Sequence, residues 1–216
     1  MSNGTFDFNA FIKESKDVLV NPKLYFSTMK TTGGMTEPLI KAVIYGAIAG
    51  AIALLWSLLK IGVTGSMFAG AIGIMTLIWY IFGAIIGLFI LAVILLVISS
   101  ICKGNTDFEA AVRVTAAVIV VLPILVFFGF AGDINFYLGL IIRLTVNLFV
   151  LWLLYNGLVE ALKSKPETTK IVMYVLIAIF VLIMLASLGA KRKTNQLMNE
   201  LNNSDMKELL KDVEKE

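Results

Sequence analysis

A chain of 216 residues with 59% hydrophobic and only 15% charged side chains holds more apolar surface than a soluble core can hide. The mean hydropathy of +0.91 comes from long uninterrupted apolar runs, which places the excess in lipid, and a net charge of +3 is too mild for a nucleic-acid surface. With no histidine and the single Cys102, His-dependent triads, His metal sites, His proton relays and an internal disulfide are excluded.

The first segment, 1–35, is expected to be cytosolic and interfacial. Asp7, Glu14 and Asp17 interrupt Met1 to Asn21, so it lacks the basic and compact apolar regions of a cleavable signal peptide. The first spanning helix is then expected to direct its own insertion. From Phe6 to Val20, apolar residues at Phe8, Phe11, Ile12 and Leu19 have helical spacing. Asn21-Pro22 reads as the N-cap and first position of a second short helix carrying Leu24, Tyr25, Phe26 and Met29 before Gly33-Gly34. Both helices read as amphipathic pieces lying in the membrane interface; a solvated tail that orders only on packing is the alternative.

The membrane domain is expected over 36–189. Thr36-Glu37-Pro38 opens a first crossing at about 39–60, long enough for the ~30 Å hydrocarbon core. Ser66 to Cys102 carries no charge and would form a rod of about 55 Å, too long for one crossing and too short for two. Trp79-Tyr80 suit an interface belt, so 79–101 is assigned as the second crossing and Met67–Ile78 as a half-helix, re-entrant or interfacial. Thr106 and Glu109 have capping-box spacing at the start of the third crossing, 107–130, where Pro123 predicts a kink. The fourth crossing spans 136–159. Ser164 to Glu167 repeats the capping-box spacing before the fifth, 170–188. Residues 190–216 form a charged amphipathic tail. The fold class is therefore all-α: a polytopic bundle of five transmembrane helices with interfacial N-terminal helices and a half-helix before the second crossing.

Lys and Arg near the helix ends divide eight to four in favour of an inside N-terminus for five crossings, and six to six for six crossings. The cluster Lys191-Arg192-Lys193 opposes that orientation.

Five polar residues in or near the spans are candidates for partner or lipid binding: Glu109, Arg113, Arg143, Asn147 and Glu160. Arg143 and Asn147 share a helix face as a polar site, although an arginine about 10 Å from its helix start also reaches the interface by snorkelling, the favoured reading. Thr145 and Asn156 lie opposite Arg143, which breaks up a polar stripe and counts against a pore. Arg113 pairs locally with Glu109 at i,i+4, or across helices with Glu160. Gly46, Gly50, Gly83 and Gly87 form two GxxxG spacings that, with Pro123, are candidates for helix packing within one subunit, with dimerisation the alternative. No helix centre carries Asp or Glu and no phosphate-binding glycine loop is present, so no catalytic residue, metal or cofactor is expected.

The order of Asn21-Pro22-Lys23-Leu24-Tyr25-Phe26, Gly33-Gly34 with Pro38, Lys103-Gly104-Asn105-Thr106-Asp107-Phe108, Ala111-Val112-Arg113-Val114, Leu122-Pro123, Trp152 and Tyr155-Asn156-Gly157-Leu158 resembles the Yip-domain family, the Ypt/Rab-interacting integral membrane proteins, over about Asn21 to Leu188. A glycine expected beside Gly104 is replaced by Lys103 and Asn105. The resemblance implies five membrane helices, a cytosolic N-terminus and, in eukaryotes, links to trafficking and membrane shaping. Eukaryotic members resembling this pattern carry a long Pro-rich cytosolic segment where about forty residues stand here, which points to a prokaryotic plasma membrane, with ER or Golgi the alternative. The expected function is a non-enzymatic membrane scaffold, membrane-shaping or trafficking-type interaction protein whose partners are membrane lipids and other membrane proteins, including further copies of itself. A small transporter or channel built on residues 66–78 with Arg143 and Asn147 is the alternative, and a lipid-headgroup binder the third.

Overall fold

Two short helices lead the chain onto the membrane segments, each started by the side chain before it. The computed structural model describes residues 7–59 and 71–186, with no strand among them. Helix α1 (Phe8–Val20) opens on Asp7, whose carboxylate accepts from the Asn9 and Ala10 amides at 2.9 and 3.2 Å. Asn21 then caps α2 (Pro22–Thr28) through the Leu24 amide, with Pro22 where a missing N–H costs nothing.

Five segments are long and apolar enough to cross a membrane: Thr36–Leu58, Met75–Ile101, Phe108–Ile134, Phe136–Ala161 and Pro166–Ala186. They are built from α3 (Thr36–Leu58), α4 (Ala71–Ile101), α5 (Phe108–Val118), α6 (Val121–Phe127), the 3-10 turn Phe128–Phe130, α7 (Ala131–Ile134), α8 (Phe136–Asn156) with the π turn Gly157–Ala161, and α9 (Pro166–Ala186). The all-α, five-crossing reading holds. The described residues up to Met173 form one unit. The second, Tyr174–Glu216, is described only as the remainder of α9, where Tyr174, Leu182 and Ile183 are exposed. Lys60, the cluster Lys191-Arg192-Lys193 and the tail 190–216 lie outside the described residues.

The expected half-helix is corrected within the described residues. Positions 71–78 are not a separate piece: they continue without interruption into the crossing as the first turns of α4. Their sequence contains no proline or charged residue, and an isolated glycine such as Gly73 weakens a helix without ending it. The rest of that expected piece, Met67–Gly70, is outside the described residues.

The third crossing bends where Pro123 requires it. A proline ring clashes with the carbonyl four residues earlier, and α5 ends one residue before that carbonyl, that of Ile119. The Leu122 amide takes up the Ile119 carbonyl at 2.8 Å, a tighter i,i+3 bond, before α6 continues. Neither capping box forms. Asp107, not Thr106, caps α5 through the Ala110 amide at 3.0 Å, and Glu109 is drawn away to Gly34 and Arg113. Ser164 is buried against Ser99, and α9 starts at Pro166.

Glycine decides which faces of α4 meet another helix. A Cβ on Gly46 would lie 2.9 Å from Ile81 Cα and from Ala84 Cβ; one on Gly50 would lie 2.9 Å from Leu77 Cα. Backbone contact at that range is available only without a side chain, and it gives the dispersion energy that lipid cannot supply. Gly83 and Gly87, expected to pack helices, have nothing within 4 Å of a built Cβ. They occupy another face of α4 and line an apolar groove. Gly50→Ala should therefore lower stability in detergent by about 1–3 kcal/mol, the cost of overpacking, while Gly83→Ala leaves the melting temperature unchanged. Equal effects in thermal melts would contradict this assignment of faces.

Candidate functional site

The starts of α3 and α5 meet beneath α1, and charges that each helix cannot shelter alone are neutralised there together. Arg113 sits in the second turn of α5 with its side chain only 6% exposed. Its Nε donates to Glu109 Oε1 at 3.1 Å, its Nη1 to Glu37 Oε2 at 3.0 Å and its Nη2 to the Gly34 carbonyl at 2.8 Å. The Gly34 amide donates back to Glu109 Oε1 at 2.6 Å. This geometry depends on the glycine pair, which holds φ of +133° at Gly33 and +90° at Gly34. A Cβ at Gly33 would also lie 2.8 Å from Arg113 Nη2.

Lys41 lies one turn beyond Glu37 on α3, its side chain 9% exposed. It donates to Glu37 Oε1 at 2.7 Å and to Glu14 Oε2 of α1 at 2.5 Å. Glu37 thus bridges both buried cations, one through each carboxylate oxygen. Removing two such cations from water costs several kcal/mol each, and only multiple charged hydrogen bonds offset it. Ser15 and Tyr45 extend the contact at 2.7 Å between hydroxyls, with the Phe11 ring 5.1 Å from that of Tyr45.

A second polar knot joins the loops at the same end. Lys103 adopts φ of +57° and closes α4 in a Schellman arrangement, with Gly104 N–H to the Ser99 carbonyl at 2.8 Å and Lys103 N–H to that of Ser100 at 3.1 Å. The Asn105 amide reaches the Leu162 carbonyl at 2.6 Å, and the Lys165 amide that of Cys102 at 3.0 Å. Gly104 is crowded by Ser164 Oγ and Ser99 Oγ, leaving no room for a side chain. The π turn after α8 brings Gly157 against Val114 and Phe26, so α2 also packs onto this end.

A cleft of about 830 Å³ opens between α1–α2 and the starts of α3 and α5, lined by Lys13, Glu14, Tyr25, Lys30, Glu37 and Arg113 among others. Burial, then the nearby Glu14, Tyr45 and Glu37, push the Tyr25 phenol far above the ordinary tyrosine range. It is a neutral hydrogen-bonding group at physiological pH. Among the described residues no three His, Cys, Asp or Glu side chains converge as metal ligands.

The five candidates from sequence separate into two places. Glu109 and Arg113 are joined locally, but the inter-helix partner of Arg113 is Glu37; the expected pair with Glu160 does not form. Glu160 lies in the π turn, its nearest cation being exposed Lys23 at 4.0 Å. Arg143 is exposed on α8 without an ion pair among the described residues, and Asn147 donates to the Arg143 carbonyl at 2.8 Å. An unpaired charge at the centre of a span costs up to about 2.5–3.5 kcal/mol on insertion scales. Reading the sequence missed Glu14, Glu37, Lys41 and Tyr45, although the i,i+4 spacing of Glu37 and Lys41 was a visible signal.

Arg113→Ala should lower stability by about 1–3 kcal/mol, because it removes a buried guanidinium that ties Glu37, Glu109 and the Gly34 carbonyl together, while Glu37 keeps Lys41. Glu160→Gln should shift it by no more than about 0.5 kcal/mol, since its ion pair is long and solvated. Chemical denaturation in mild detergent separates these; comparable losses would place Glu160 in the network.

The segments whose order was informative in the sequence largely converge at this end: Asn21–Phe26 in α2, Gly33-Gly34 beneath Arg113, Lys103–Phe108 in the knot and Gly157 at the π turn. Comparison with curated proteins and with solved structures gives no match. The family model described as the Yip1 domain matches residues 16–188, from α1 through the fifth crossing, and the chain belongs to that family of membrane proteins.

Proposed function

We propose that this protein is a non-enzymatic integral membrane scaffold that shapes its membrane and gathers lipids and other membrane proteins, further copies of itself included, around its polar end. The observation that carries this reading is the ionic frame. It pins α1 to α3 through Glu14–Lys41 while leaving Phe8 59%, Ile12 52%, Val20 71% and Leu24 59% exposed on the docked helices. Exposed Lys13, Lys16 and Lys23 accompany them. An amphipathic surface held rigidly at the base of the spanning helices is a wedge for one leaflet, with cations suited to anionic headgroups.

The excess of Lys and Arg supports a cytosolic position for this end and for the N-terminus. A prokaryotic plasma membrane is the proposed location. Two features favour the scaffold over the transporter: the apolar groove has no charged lining residue, and residues 71–78 belong to a continuous helix.

Two measurements test this. Asp133→Cys should react with a membrane-impermeant maleimide on intact cells, and Lys163→Cys only after permeabilisation, against a background of buried Cys102. Labelling of both from outside would contradict the orientation. Reconstituted into vesicles containing anionic lipid, the protein should narrow vesicle diameters seen by electron microscopy, and Phe8→Asp with Ile12→Asp should abolish the effect without preventing insertion. Diameters equal to those of protein-free vesicles would contradict the shaping role.

A further inference from the structure

Away from the polar end, α4, the bent third crossing and α8 enclose a groove of about 600 Å³ that is almost entirely apolar. Gly83 and Gly87 line it with nothing within 4 Å of a built Cβ, so backbone forms part of its surface. The α4 wall, from Thr76 to Leu91, runs about 22 Å, more than the ~15 Å depth of one leaflet. Trp79 and Tyr80 stand in the same wall, as side chains at headgroup level do. The α8 wall is Val146, Asn147 and Val150. Arg143 precedes these by three, four and seven residues and so continues the same helix face toward the start of α8. It is exposed and has no ion pair among the described residues.

We infer that this groove holds an acyl chain of an anionic glycerophospholipid, with the lipid phosphate on Arg143. The site lies in the leaflet opposite the polar end, is independent of the scaffold proposal, and answers both halves of the observation. Arg143 stands seven residues into α8, about 10 Å along the helix, a depth its stem spans while the guanidinium meets a phosphate in a two-bond fork. The chain of the same lipid descends beside it over Gly83 and Gly87. Among the described residues, a second copy would bring a glycine-compatible helix but no carboxylate at the depth of Arg143: Glu37, Glu109 and Glu160 belong to the polar end, and Asp133 lies in α7, before α8 begins. A lipid phosphate supplies that charge where the arginine needs it.

The test uses the full chain in phosphatidylcholine nanodiscs, doped with phosphatidylglycerol or phosphatidylcholine bearing a photoactivatable group midway along one acyl chain. After irradiation, adducts are mapped by peptide mass spectrometry. The phosphatidylglycerol probe should label the peptide spanning Gly83–Leu91 about tenfold more than the phosphatidylcholine probe. That preference should vanish in Arg143→Gln, and labelling by both probes should fall in Gly87→Leu, whose Cβ meets nothing within 4 Å and whose side chain extends into the groove. Equal labelling by the two probes, or a preference that survives Arg143→Gln, would mark ordinary surrounding lipid and overturn the assignment. Protein–protein adducts at Gly83–Leu91 in place of lipid adducts would give the groove to a second copy and overturn it equally.

Discussion

Glu37 carries a disproportionate share of this structure. One carboxylate, in the first turn of α3, accepts from Lys41 through one oxygen and from Arg113 of α5 through the other. Each cation is buried and would be intolerable alone, so each draws in a further acceptor: Glu14 of α1 for Lys41, and Glu109 with the Gly34 carbonyl for Arg113. Three segments distant in sequence, α1, the Gly34–Lys41 stretch and the start of α5, are thereby fixed to one another. Hydrophobic burial cannot do this at the boundary of a membrane, because lipid competes equally for every apolar face. Direction comes from hydrogen-bonded charge, and the Gly33-Gly34 turn exists to let backbone enter that network.

Below the ionic frame, the packing depends on what glycine permits. On α4 one face lies against Gly46 and Gly50 of α3 at backbone distance, while Gly83 and Gly87 on another face remain open. The bend before Pro123 turns the third crossing, which contributes Ile119, Leu122 and Leu125 to the groove wall. At the far end of α3, the Trp56 ring packs 5.8 Å from Phe127 and 5.2 Å from Phe130. Tight contact and open groove are thus two faces of one helix.

Much of the fold was legible because its signals are local. Five crossings follow from apolar length, the cap at Asn21-Pro22 from residue chemistry, and the bend before Pro123 from a steric clash with Ile119. What was not legible depended on choice between partners. Two GxxxG spacings look identical in sequence, yet only the pair on α3 meets backbone. Glu109 has the spacing of a capping residue but accepts instead from Arg113 and the Gly34 amide, while Asp107 caps α5 through the Ala110 amide. The uncharged run before Trp79 was divided on the assumption that a helix ends at the membrane boundary; α4 has no residue that would stop it there. The central site is half visible in the sequence: Arg113 and Glu109 stand out as an i,i+4 pair, whereas Glu37 and Lys41 gain their role only when α1 and α5 are brought against α3.

Buried charge thus holds an amphipathic strap rigidly on a body of membrane-spanning helices. Lys41 is the tie that touches the strap itself. Hydrogen exchange of the α1 amides in nanodiscs, compared between the wild type and Lys41→Met, tests it directly, since methionine keeps the stem and removes only the charge. Exchange should be at least about tenfold faster across α1 in the variant, with α4 and α8 unaltered. Unchanged protection of α1 would show that apolar contacts alone hold the strap and would contradict the claim.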